Sequence, residues 1–313
     1  MINRTETTFP QWLTDPDGPL GPQAVIVRGE RLRKWGLSEV WRLELDGPGA
    51  RSVIVKRGSG EMAEEARRYR ELVVPLRLPA PQVIAARGGH DMDPVVLVLE
   101  DVGRDTLEQR PTVEGYQEAA RALARMRALA TPRLAQDPAV GAGLRWTTAD
   151  FADTVRRAEA GLAAIRPGLA AALDPVTGVL FDRLDRLSGH PGTIVHGDFH
   201  AKNLIHGVDG AIVPVDWPGA YVHAHLGDLY CLLREARKHG RDQRVGAAAL
   251  PDVFAQESGA DPAAVREQMV TGGLCWTLIA LRWVVEEGIH AVPESADWID
   301  ELVADARSLA VPR

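Results

Sequence analysis

The 313-residue chain predicts an α+β molecule in two lobes: a small five-stranded, mostly antiparallel sheet with one helix, then a larger, mainly helical part. Two observations predict this. The first third alternates short Val-, Ile- and Leu-rich runs with Gly-containing breaks, in the order β-β-β-α-β-β. Beyond Val102 the apolar residues switch to spacings of three and four, with three strand-like pieces among them. The switch, near Val102 to Asp105, divides the chain into an N-terminal extension (1–23), a sheet lobe (24–102) and a helical lobe (103–313).

In order, the strands are predicted at Ala24 to Arg28, Val40 to Leu45 and Ser52 to Lys56, the last two separated by Asp46-Gly47-Pro48-Gly49. Met62, Ala66, Tyr69, Leu72 and Val73 share one helical face over Glu61 to Val73, and Pro75 and Pro79 are expected to end that helix. Strands Gln82 to Ala86 and Pro94 to Glu100 follow, joined by the turn Arg87-Gly88-Gly89-His90. In the second lobe, stripes of small and apolar residues predict helices through Tyr116 to Ala130, Phe151 to Ile165, Val179 to Leu187, Leu226 to Ala236 and Val265 to Val285. Short strands are expected at Thr193 to Val195, Leu204 to His206 and Ala211 to Val215.

Composition narrows the function classes. Apolar residues are 45% and charged residues 25%, an ordinary globular balance, and no stretch reads as the roughly 20 apolar residues of a membrane span. The polar N-terminus, with Pro10, Pro16, Pro19 and Pro22, lacks an apolar signal core. A net charge of −7 gains nothing from a phosphate backbone, so nucleic acid is not expected as a partner. Cys231 and Cys275 sit in apolar helical patterns without metal-ligand spacing, which fits a reducing cytoplasm. Of 36 basic residues only Lys34, Lys56, Lys202 and Lys238 are lysines, so each lysine is worth inspection.

The chemistry is concentrated in His196-Gly197-Asp198-Phe199-His200-Ala201-Lys202-Asn203, followed by Asp216 after the next strand. Phosphoryl transfer to a hydroxyl is mainly positioning and charge neutralisation. One carboxylate must accept the hydroxyl proton, and oxygen ligands must hold Mg²⁺ against the phosphates. Asp198 and Asn203, five apart on one turn, can divide these tasks, with Asp216 completing the metal shell. Protein-kinase loops of the form H-R-D-x-x-x-x-N, followed by a metal-binding Asp, share this spacing.

The H-G-D-x-H-x-x-N loop and its later Asp resemble the aminoglycoside phosphotransferase and choline kinase-like family, small-molecule kinases with the protein kinase-like bilobal fold. The resemblance covers about residues 24 to 240. It implies Asp198 as catalytic base, Asn203 and Asp216 as magnesium ligands, His196 as a loop-shaping residue, and Asp228 as a structural Asp opening the next helix. It implies Lys56 as the lysine gripping the α- and β-phosphates of ATP or GTP, with Glu65 as its helix partner; Glu61 and Glu64 compete for that role. The pair is read as orienting an exposed ammonium. Gly36 and Ser38, in Gly36-Leu37-Ser38-Glu39-Val40-Trp41, fall in the nucleotide-covering loop, and the backbone at Glu100 and Val102 in the adenine-reading hinge. Two positions depart from the family: Met126-Arg127 replaces a common Leu-His, and Lys202 replaces a small residue. Lys202 either approaches the transferred phosphoryl group or points to solvent.

His200 reads as a packed or hydrogen-bonded loop residue, and His206, His223 and His225 as surface or helix-entry residues. Trp276, Trp283, Glu286 and Glu287 either line the acceptor pocket or form core and solvated faces. Only eleven residues, Trp217 to Gly227, separate Asp216 from Asp228, too few for a peptide-docking activation segment. The expected activity is therefore transfer to a small-molecule hydroxyl, first an aminoglycoside or another hydroxylated antibiotic. A choline-like amino alcohol, sugar or nucleoside is the alternative, and an inactive nucleotide-binding module a further one.

Overall fold

A computed structural model describes residues 9–15, 17–46, 52–88, 94–207, 210–238 and 246–311. Strands β1 (Val25–Trp35), β2 (Ser38–Asp46), β3 (Ser52–Gly58), β4 (Val83–Arg87) and β5 (Val95–Glu100) form one antiparallel sheet in the order β1-β2-β3-β5-β4. Alternation along β3 gives the sheet two distinct faces. Val53 and Val55 are buried with Trp41, Leu43 and Val98 on one face, where Phe9, Trp12, Leu13 and Leu20 cover them. Ile54 and Lys56 point the other way, with Ile54 packed on the larger core that includes Leu72, Leu97 and Leu99 and continues into the helical lobe, and Lys56 on Asp216.

Two sequence expectations change here. β1 runs on to Trp35, so Gly36-Leu37 is a two-residue hairpin turn with Trp35 paired to Ser38, and the expected covering loop is a tight turn. The helix after β3, α1 (60–76), also runs past Pro75. It passes through a wide π turn at Tyr69–Val73, where the usual hydrogen-bond ladder is already broken, and stops at left-handed Arg77. There Leu78 N–H caps the Val73 carbonyl at 3.0 Å. The expected breaks at Gly47-Pro48-Gly49 and Gly89-His90 lie outside the described residues.

The helical lobe contains α2 (Val113–Gln136), α3 (Thr148–Ile165), α4 (Asp174–Leu187), α5 (Gly227–Ala236), α6 (Leu250–Ser258), α7 (Pro262–Trp283) and α8 (Trp298–Ala310). Thr112 caps α2 by accepting from Gly115 N–H at 3.0 Å, and Thr147 with Asp150 forms a capping box on α3. The stripe Tyr116, Ala119, Ala120, Leu123, Met126 and Ala130 is buried as the spacing predicts. Helix α7 crosses the middle of this core. Its backbone passes α5 so closely that a Cβ on Gly272 would lie 2.2 Å from Gly227 N. The continuous helix Pro262–Ala291 is by length and composition alone apolar enough to cross a membrane, but 67% of its most apolar window is buried inside the protein, as in a core helix.

Four three-residue strands make two small antiparallel pairs that hold the loops between them: β6 (Thr193–Val195) with β9 (Tyr221–His223), and β7 (Leu204–His206) with β8 (Ile212–Pro214). The sequence reading lacked β9. Arg127, buried behind β6, donates to the carbonyls of Ala224 (2.7 Å), His225 (2.9 Å) and Ile194 (3.3 Å), and burial lowers its pKa to about 10. It thus ties α2 to the β6 and β9 pair. Because unsatisfied buried polar groups cost about 1–3 kcal/mol each, Arg127→Leu should lower stability by about 3 kcal/mol or more in urea unfolding. A loss below about 1 kcal/mol would contradict this role.

Candidate active site

The turn after β6 carries the His-Gly-Asp sequence. Asp228, at the first turn of α5, accepts from His196 N–H (2.7 Å) and Gly197 N–H (3.0 Å), clamping the turn to the helix. Gly197 has φ +86°, and an added Cβ would sit 2.4 Å from the Gly219 carbonyl, so only glycine fits. His196 is fully buried against Trp217 and Phe199, and its Nδ1 accepts from Asp198 N–H at 3.3 Å. Burial lowers its pKa, so the ring is neutral.

Asp198 emerges from this turn with 36% of its side chain exposed, within reach of a ligand. Asn203 Nδ2 donates to its Oδ2 (2.8 Å) and to its main-chain carbonyl (2.9 Å), which leaves the Asn203 amide oxygen for another partner. His200 Nε2 lies 3.1 Å from Asp198 Oδ1, and the opposite ring nitrogen lies 3.2 Å from Glu235 on α5. Burial opposes a charge on His200, but Cys231 and the Asp198 carboxylate raise its pKa well above the ordinary value. Burial likewise opposes ionisation of Asp198, yet Lys202 and His200 hold its pKa well below the ordinary carboxylate range. Lys202 Nζ stands 3.7 Å from Asp198 and is half exposed, so it both neighbours the carboxylate and reaches solvent.

Across the cleft, Lys56 forms ion pairs with Glu65 and Asp216. Its side chain is only 6% exposed, which corrects the expectation of an exposed, mobile ammonium. Burial works against the charge, but Asp216 and Glu65 raise the pKa, so the amine stays protonated. Glu65 is the partner, not Glu61 or Glu64; its second oxygen accepts Trp217 N–H at 3.0 Å. Asp216 sits at φ +71°, and Lys56 and Arg33 hold its carboxyl well below the ordinary range against the effect of burial. Arg33 was not among the sequence-predicted residues; its NH1 donates to Asp216 (3.1 Å) and its NH2 to Ser38 Oγ (3.2 Å). Ser38 is thereby in the cleft, while Gly36 forms the adjoining turn.

At the hinge, Glu100 N–H is already bound to the Gln82 carbonyl at 2.9 Å, whereas Val102 makes no backbone hydrogen bond among the described residues. Trp276 lies edge-on to His200 at 5.6 Å, and Trp283 contacts Trp35 at 6.3 Å and Trp298 at 6.5 Å. Glu286 is engaged by Arg157 through two 2.6 Å hydrogen bonds, and Glu287 keeps a buried oxygen with no partner among the described residues. Of its two expected placements, His225 takes the helix entry and not the surface: it is fully buried, its Nδ1 accepts from Gly227 N–H at 3.1 Å, and its Nε2 lies 2.8 Å from Tyr221 OH. Glu235 and Arg33 were missed because each acts across long sequence separations. A two-residue Gly-containing turn between apolar runs was the one available signal that β1 continues into the cleft.

A five-stranded antiparallel sheet tied to a largely helical lobe through the Lys56–Asp216 ion pair is a kinase-like architecture. Residues 31–267 match the model of the phosphotransferase enzyme family, and the chain belongs to that family. No curated protein sequence is similar enough to count as a relative. Among solved structures, a thermostable mutant of aminoglycoside phosphotransferase APH(4)-Ia, in a ternary complex with AMP-PNP and hygromycin B, aligns with a TM-score of 0.67. The two are 14% identical over 98% of this chain and 100% of that one. The GDP complex of aminoglycoside 2'-phosphotransferase-IIIa aligns at 0.58, with 14% identity over 92% and 94%. Spectinomycin phosphotransferase with ADP and spectinomycin aligns at 0.54, with 11% identity over 91% and 93%. At such identities the likeness shows the fold.

Two buried histidines, His196 and His225, and the half-buried His223 give the protein a pH signature. Burial lowers His196 and His225, and lowers His223 to about 4. Below an unfolded pKa of about 6.5 the unfolded chain binds protons at these rings that the folded chain does not, so stability falls as pH falls. His200, raised instead, gains stability as pH falls toward the unfolded value, but this one ring offsets only part of the effect of three. Urea unfolding at about pH 5.5 should show lower stability than at about pH 7; equal stability would contradict the assignment.

Proposed function

We propose that the chain transfers the γ-phosphoryl group of ATP or GTP to a hydroxyl of a small molecule. The observation that carries this reading is the convergence of Asp198 and Asn203 with Asp216, which is paired to Lys56, in one cleft between the lobes. In the reaction, Asp198 accepts the hydroxyl proton. The acceptor oxygen bonds to the γ-phosphorus as the bond to the β–γ bridging oxygen breaks, and the nucleoside diphosphate leaves. Asp198 stays ionised because Lys202 and His200 face it, and Asn203 and His200 fix its orientation. Lys56, steered by Glu65, holds the phosphates, and the Val102 backbone is open to an adenine or guanine edge.

The chain fits Mg²⁺ as well. Asp216 and the Asn203 amide oxygen are hard donors, and Mg²⁺ is commonly held by one or two such groups plus phosphate oxygens and water. Among the described residues no cluster of three His, Cys, Asp or Glu could hold a metal alone, so phosphates would complete the shell. When bound, the ion neutralises charge on the triphosphate.

For the acceptor, we favour an aminoglycoside or another hydroxylated antibiotic over amino alcohols, sugars and nucleosides. Family membership and the antibiotic complexes of the similar structures support this. Trp276, beside His200, and Trp283, beside Trp35, flank the region where such an acceptor would lie, with Glu287 as an acidic contact. Glu286 is already committed to Arg157 and is a weaker candidate. A screen of nucleotide consumption against antibiotics and hydroxylated metabolites, with mass spectrometry of the product, should show one added phosphoryl group. Asp198→Asn should then lose about 10²–10⁴-fold in kcat with nucleotide affinity nearly unchanged. Near-wild-type turnover would remove Asp198 as the base, and phosphorylation of sugars or amino alcohols alone would remove the antibiotic reading.

A further inference from the structure

Arg33 lies on β1, three residues before Gly36 of the hairpin turn, with its guanidinium on Asp216. Both oxygens of Asp216 carry a cation: Lys56 on Oδ1 and Arg33 on Oδ2 at 3.1 Å. The two cations differ in what else holds them. Lys56 keeps Glu65 as a second carboxylate, whereas among the described residues Asp216 is the only carboxylate bound to Arg33, with neutral Ser38 its other partner. The Nε of Arg33 is buried and has no partner among the described residues. A metal ion taking Asp216 would therefore leave Arg33, whose side chain is 36% exposed, without its carboxylate and able to turn to another anion that arrives with the metal.

The hairpin also keeps this guanidinium in the cleft. Trp35 packs edge-on against Trp283 of the helical lobe at 6.3 Å and 73°, and the Arg33 guanidinium lies over the Trp35 ring at 5.9 Å. Arg33 and Lys56 thus reach Asp216 from two strands of one sheet, each on a different carboxylate oxygen. A guanidinium presents several donors in a planar fork and binds phosphate oxygens well.

We propose that Arg33 is a second phosphate-binding residue: it caps Asp216 in the nucleotide-free protein and turns to the triphosphate oxygens when Asp216 takes the metal. The inference rests on the phosphotransferase reading of the same cleft. It predicts a contact that depends on phosphates and not on the nucleoside.

Isothermal titration calorimetry of the full chain, with Mg²⁺ and either ATP or GTP, tests it against the matching nucleoside without phosphates. Arg33→Gln should weaken triphosphate binding about tenfold or more, leave nucleoside affinity within about twofold of wild type, and keep a native thermal melt. Arg33→Lys should recover part of the loss, because it keeps the charge but not the fork. Unchanged triphosphate affinity in a folded Arg33→Gln would overturn the proposal, and tighter binding would make Arg33 only a blocker of Asp216. Failure of the wild type to bind either Mg²⁺-nucleotide would instead remove the phosphotransferase reading, and the proposal with it.

Discussion

The arrangement depends on a buried ammonium. Lys56 is withdrawn from water, and an unpaired buried charge would cost several kcal/mol. Two carboxylates offset this, Glu65 from the helix of the sheet lobe and Asp216 from the helical lobe. The same Glu65 also binds Trp217 N–H, one residue past Asp216. Satisfying one cation therefore sets the relative position of β3, α1 and the segment after β8. The ammonium and the carboxylate proposed to hold phosphates and metal come to face each other as a result.

The opposite wall is held by a second kind of constraint, in which buried side chains satisfy loop backbone. Asp228 binds two N–H groups of the His-Gly-Asp turn, Arg127 binds three carbonyls around β6 and β9, and Glu235 binds Ala201 N–H at 3.2 Å as well as His200. These contacts fix the loop from behind and leave its front, Asp198 with Lys202, open to the cleft. Rigid support behind exposed reacting groups is what positioning catalysis requires.

Much of this was legible in the sequence because it is local. The Val- and Ile-rich run Ser52 to Lys56 marks β3 with Lys56 near its end, and the spacing of Asp198, Asn203 and Asp216 marks the residues proposed to carry the chemistry. What escaped is non-local. Arg33 reaches Asp216 across 183 positions and is one arginine among 32, so nothing nearby distinguishes it. Strand β9 is three residues long and carries no periodicity. His225 looks polar in the sequence, but a hydrogen bond to Tyr221 lets it sit in the core. The exposed-lysine expectation failed for the same reason, since the second carboxylate that makes burial of Lys56 tolerable comes from 160 residues away.

The central claim is that Asp216 holds metal against the phosphates of a nucleotide gripped by Lys56. Its most direct test is calorimetric nucleotide binding across a Mg²⁺ titration, for the wild type and for Asp216→Asn. The account predicts that Mg²⁺ tightens nucleotide binding to the wild type by about tenfold or more, and that Asp216→Asn abolishes most of that gain while the protein stays folded. The same Mg²⁺ dependence in both proteins would contradict it.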